Sequence, residues 1–226
     1  MSRDQRISND FEHYKEFLKE YFPKFDSTEE KLYDFYLYVN NSFVLCDLLI
    51  EHNKIDEDCN YFNILIEYRE FYARLLTTVA INDKFLVDNL LRVIIEKVYR
   101  ILYGMLKNNK LERSIRRESR SEMKKALEGN VEENRFNLLN TLYNEYSQNI
   151  HHTISIPTDY FNLTRRLEHS QNNIEEFVNS MEKIEQIFLD EIFLILSPDN
   201  ENEETSYKMK IRNNTSDYVI RSLNLD

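Results

Sequence analysis

The chain has 226 residues, and only two are glycine and three are proline. Those two residue types are the strongest local punctuation a chain has. A β-sandwich or barrel needs a tight turn about every 8–12 residues. A chain this poor in turn-formers is expected to be all-α, with long helices and short connections. Apolar residues make up 42%, enough for a continuous core in one domain of this length. The expectation is a bundle of about seven or eight helices over residues 1–226. Residues 1–54 form an N-terminal helical pair with no linker to set it apart.

The apolar spacing places the helices. Phe11, Tyr14 and Leu18 share one face of a helix over about 9–22. Ser27 followed by Glu30 has the form of a capping box for the next. The run "DKFLVDNLLRVIIEKVYRILYGML" (83–106) is apolar around most of its circumference, as suits the middle of a bundle. Its polar exceptions, Asp88, Arg92, Glu96 and Arg100, recur every four residues and can pair along one stripe. A charged helix is expected over 107–127, another over about 131–152, a short one from Pro157, and a last long one to about Leu196. In 197–226, "SPDNENEETS" is expected to be an acidic loop. The tail "YKMKIRNNTSDYVIRSL" alternates enough for a small hairpin turned at Asn213-Asn214; a docked helix is the alternative.

The net charge is −11, which disfavours a general binder of nucleic acid or acidic membranes. Local patches can still escape that rule. Two cysteines, Cys46 and Cys59, are too few for a disulfide framework and suit a reducing, cytoplasmic setting. The start "MSRDQRISND" is too polar for a signal peptide. No 18-residue apolar window predicts a membrane span.

The helix ending in "LYNEYSQNIHH" carries the most suggestive chemistry. At about 100° per residue, Asn137, Asn140, Asn144, Ser147 and His151 fall within roughly 40° of one line. Leu138, Leu139, Leu142 and Tyr146 lie opposite. His152 is about 100° off the line. A solvated face would account for a polar stripe without any function. It would not account for amides, a hydroxyl and an imidazole with no Lys or Glu among them. An uncharged polar face suits a helix that meets a ligand or a second copy of itself.

Leu91, Arg92 and Glu96, followed some forty residues later by Tyr143, Ser147 and His151, resemble the helical HEPN superfamily over about 84–196. The resemblance implies a bundle of four to six helices, often a homodimer, whose cleft in many members is a metal-independent endoribonuclease. It also implies bacterial toxin–antitoxin or phage-defence systems, with a protein antitoxin or regulator as a further partner. His151 would be the general acid/base, since an imidazole titrates near neutrality. Ser147 and Asn144 would orient it or bind phosphate. Glu96 and Tyr143 would be structural. The family's usual arginine, with four to six residues between it and the histidine, is missing: those slots hold Asn144, Glu145 and Tyr146. Arg92, Arg116, Arg117, Arg165 or Arg166 could supply the charge from elsewhere.

Residues 107–125 hold eight basic and three acidic side chains, a net +5 that leaves −16 for the rest. On one continuous helix, Arg113, Arg116, Arg117, Arg120 and Lys124 would share a face able to meet RNA phosphates or an acidic protein. Pairing with this protein's own acidic surface is the plainer alternative. The second functional class is therefore a non-enzymatic interaction protein whose basic helix docks an acidic partner.

Two metal patterns are weak. Asp56, Asp58, Asn60 and Glu67 have calcium-loop spacing, but Tyr61 stands where the turn needs Gly. Asp10, His13 and Glu16 share an exposed helix face. No cofactor is implied.

Overall fold

The structure, a computed structural model, describes residues 3–53, 61–81, 83–107, 112–151, 172–197 and 201–225. Among them there is no strand, and eight helices have seven residues or more. They are α1 (Arg3–Tyr21), α2 (Glu29–Asn53), α3 (Phe62–Ile81), α4 (Lys84–Lys107), the short α5 (Glu112–Arg117), α6 (Arg120–Leu127), α7 (Glu133–His151), α8 (Asn172–Phe188), α9 (Glu201–Asn214) and the short α10 (Asp217–Ser222). After Phe188 the chain continues through a π-helical turn, Leu189–Phe193, and a last turn, Leu194–Leu196.

Helix α4 is the centre, as its apolar circumference requires. Leu91, Ile94, Ile95, Val98, Tyr99 and Ile101 are fully buried, and α4 packs on α3, α6 and α7. Helix α2 packs on α3 and α8, and its Phe35, Leu45 and Leu49 belong to the same continuous core. Tyr68 of α3 stacks on Phe188 of α8 with ring centroids 4.9 Å apart. Helix α1 is held by ring contacts from Phe11 to Tyr33 and by the Tyr14 hydroxyl, which donates to the Leu76 carbonyl at 2.7 Å.

Both glycines have local reasons. A Cβ on Gly104 would lie 2.9 Å from Ile115 Cδ1 of α5, so the missing side chain makes room for that helix. Gly129 has φ +78° in the turn after α6, a conformation that favours glycine.

Four sequence expectations are corrected. Ser27 does not cap α2: its hydroxyl lies by the Thr28 carbonyl, and Leu32 N–H bonds Thr28 O, so the helix starts one residue later. The charged helix over 107–127 is not continuous. It breaks at Glu118–Ser119, where Ser119 caps α6 in a reciprocal box with Glu122. The C-terminal hairpin does not form. A two-residue hairpin turn of the favoured type needs positive φ at both central residues, and Asn224 is the sole described non-glycine with positive φ. Residues 201–214 and 217–222 are helical instead, burying Ile211, Val219 and Ile220. The expected acidic loop therefore gives way to helix at Glu201. Asn40 and Asn41 of α2 dock this end: Asn40 Nδ2 donates to Asn214 O at 2.9 Å, and Asn41 exchanges bonds with Ser216.

One buried polar pair joins α7 to α8. The Tyr146 hydroxyl donates to Ser180 Oγ at 2.7 Å, with both residues buried. Tyr146→Phe strands the serine and is expected to lower stability by about 1–2 kcal/mol, read by urea unfolding. Tyr146→Phe with Ser180→Ala should recover most of that loss. An unrecovered loss would assign the effect to packing rather than to the bond.

Candidate functional site on α4, α6 and α7

The polar stripe of α4 meets α7 at Tyr143. On α4, Glu96 takes Arg100 Nη2 at 2.7 Å and lies 3.9 Å from Arg92 Nη1. Arg92 Nη1 is 3.5 Å from the Tyr143 hydroxyl on α7. Tyr99 donates from its hydroxyl to Asn140 Oδ1 at 2.7 Å, and burial lifts the pKa of that hydroxyl to about 12 against the opposing pull of Arg120.

Arg120 enters from α6. Its guanidinium carbon lies 3.8 Å from the Tyr143 ring centroid and 5.6 Å from that of Tyr99. Its Nη2 donates to Asn144 Oδ1 at 3.1 Å and reaches Asn140 Oδ1 at 3.5 Å. This position follows from the break in the basic segment. Arg100 Nη1 bonds the Ile115 carbonyl at 2.5 Å and lies 3.4 Å from that of Glu118, tying down the end of α5. Ser119 then starts α6 afresh, and the first residue of the new helix is Arg120.

So one arginine, Arg120, reaches the α7 stripe, and a second, Arg92, meets the neighbouring Tyr143. The structure brings together Arg92, Glu96, Arg120, Tyr143 and Asn144. The Ser147 hydroxyl is buried and makes no hydrogen bond. Arg116 leaves the group: it pairs with Glu67 of α3 at 3.0 Å, which gives part of the basic segment to the protein's own acidic surface. Arg117 is exposed and Lys124 half-buried. The side chains of Arg113 and His151 lie outside the described residues, as do His152, Arg165, Arg166 and the whole helix expected from Pro157. His151 closes α7, and its backbone stands eight residues beyond Tyr143, about 12 Å along the axis.

Tyr99 was missed by sequence reasoning, which saw only an apolar residue on a buried helix. Its partner is 41 residues away, and a single sequence carries no signal for that pairing. The break before Arg120 was legible: "SRSE" is the capping-box pattern. A further arginine, Arg135, joins α7 to the π turn through Asp190 at 2.9 Å and Glu191 at 2.8 Å.

Among the described residues no group of three or more His, Cys, Asp or Glu could hold a metal. Glu67 of the calcium-like pattern is paired with Lys97 at 2.5 Å and with Arg116; its other residues, 56–60, lie outside the described ones. No described helix is long and apolar enough to cross a membrane. No family model, curated protein or solved structure matches the chain.

Proposed function

We propose that the protein is a HEPN-like, RNA-directed protein of a bacterial defence or toxin–antitoxin system, with the α6–α7 face as its RNA contact. The supporting observation is Arg120, held over the Tyr143 ring and bonded to Asn144. A guanidinium fixed by stacking loses little freedom when it takes a phosphate. Arg92 adds a second positive charge on the same tyrosine. Tyr143 and Asn144 are accessible enough to meet a ligand beside them. His151, further along the helix, is the proposed acid/base, and a homodimer would bring two such helices to one strand.

The test is binding of a single-stranded RNA, followed by anisotropy. Arg120→Ala and Arg92→Ala should each weaken binding by about tenfold, about 1.4 kcal/mol. Each should also flatten the salt dependence by about 0.7 in log–log slope, as loss of one phosphate contact requires. Unchanged affinity in both variants would overturn the reading. No RNA binding by the native chain would favour the other class, an interaction protein whose exposed basic residues dock an acidic partner.

A further inference from the structure

Three large apolar side chains stand in the open where α3 gives way to α4: Ile81, Phe85 and Leu86, each between 36% and 42% exposed. Phe85 belongs to more than this turn. On the continuous helix α4, Phe85, Asn89, Arg92 and Glu96 fall within about 60° of one another. They share the face whose half-buried stripe meets Tyr143. The exposed end of that stripe is an aromatic ring. Asn89 turns back on the helix here, its Nδ2 donating to the Phe85 carbonyl at 3.2 Å.

The register of α4 on α7 sets what this end lies beside. Tyr99 meets Asn140 and Arg92 meets Tyr143, so the two packed helices run antiparallel. Going back from Arg92 to Phe85 covers about 10 Å along α4. Going on from Tyr143 to the backbone of His151 covers about 12 Å along α7, in the same direction. Phe85 therefore stands beside the last turns of α7, beyond the two arginines.

The charges next to Phe85 are already matched. Lys84 Nζ lies 2.7 Å from Glu176 and 3.5 Å from Asp88, and Asp83 Oδ1 takes the Leu86 N–H at 3.3 Å. This end of the face offers a flat, uncharged surface. About 10 Å along the same face stands Arg92, with Arg120 over the Tyr143 ring beside it. A single-stranded nucleic acid carries both complements, an anionic backbone and bases with open ring faces. A second copy of this chain would need about 800 Å² per partner for a standard interface, far more than three side chains present. One ring is enough to stack one base.

Building on the RNA-directed reading above, we propose that Phe85 is a base-stacking platform, seating a base of the same single strand whose phosphate Arg92 and Arg120 hold. The RNA contact then extends from α6 and α7 onto the exposed end of α4. Phe85→Ala, at an exposed site, should weaken binding of a single-stranded RNA by about tenfold. It should leave the salt dependence unchanged, because no phosphate contact is lost. The chain has no tryptophan, so Phe85→Trp supplies a single indole reporter. That variant should bind RNA as the native chain does, with its emission quenched by the stacked base. An oligomer of the same length with every base removed should bind the native and Phe85→Ala chains alike and leave the indole emission unquenched. Native affinity in Phe85→Ala, or equal quenching by the base-free oligomer, would overturn the platform, while Arg92→Ala and Arg120→Ala would still report the phosphate contact. No RNA binding by the native chain would overturn both. A native dimer that Phe85→Ala turns into a monomer, read by sedimentation, would assign the ring to a second copy and overturn the platform.

Discussion

Raising the pH from 5 to 8 should lower the stability of this protein by about 3 kcal/mol through Glu185 alone, and Glu185→Gln should remove that loss. Burial raises the Glu185 pKa from 4.5 to about 8. Between those values the folded state keeps a proton that the unfolded state has released. Stability is therefore highest at the acidic end of the window and falls as pH rises through it, by about 1.4 kcal/mol per unit. Above about 8 both states are ionised and the loss levels off. For a chain of this size, 3 kcal/mol corresponds to roughly 6–12 °C in Tm. The groups facing Glu185 do not reverse the sign: burial raises its pKa most, the Asn41 amide lowers it by less, and the Glu182 charge raises it further. Glu185→Gln keeps the shape and cannot ionise, so its Tm should vary less between pH 5 and 8 by that amount. Parallel Tm–pH curves for the two proteins would show that Glu185 does not titrate in this window.

Glu185 also shows where sequence reasoning stops. In "NNIEEFVNSMEKIEQIF" it is one of several acidic residues on an amphipathic helix, and nothing local marks it as the buried one. Its burial comes from α2 packing over that helix, with Asn41 and Ser42 buried alongside. The fold class was legible because it depends on local quantities: few turn-formers, helical spacing and one all-round apolar helix. The end of the chain was misjudged because "YKMKIRNNTSDYVIRSL" fits two periods over a short run. Tertiary contacts at Asn40 and Asn41 decided for helix. The α7 stripe was legible in composition but not in partners. Asn140, read as part of an open polar line, is 7% exposed and bonded to Tyr99.

In the proposed endoribonuclease, His151→Ala should lower RNA cleavage by about 10²–10⁴-fold, the usual contribution of a positioned acid/base. His152→Ala should stay near native, since the helical spacing of the sequence alone would set residue 152 about 100° from the line of the stripe. The arginines should behave differently. Arg92 and Arg120 gather at Tyr143 and Asn144, about 10–12 Å along α7 from His151. From there they can hold a neighbouring phosphate but not the one being cleaved by the same chain's histidine. Arg120→Ala should therefore raise KM with kcat little changed, while His151→Ala lowers kcat with RNA affinity kept. Charge on the reacting phosphate would then come from a second copy across the dimer, so the specific rate should fall on dilution below the dimer's Kd. A kcat loss in Arg120→Ala equal to that in His151→Ala would contradict this division of labour. Equal cleavage by native and His151→Ala chains, at matched RNA affinity, would remove the catalytic role of His151 and leave a protein that binds RNA through Arg92 and Arg120.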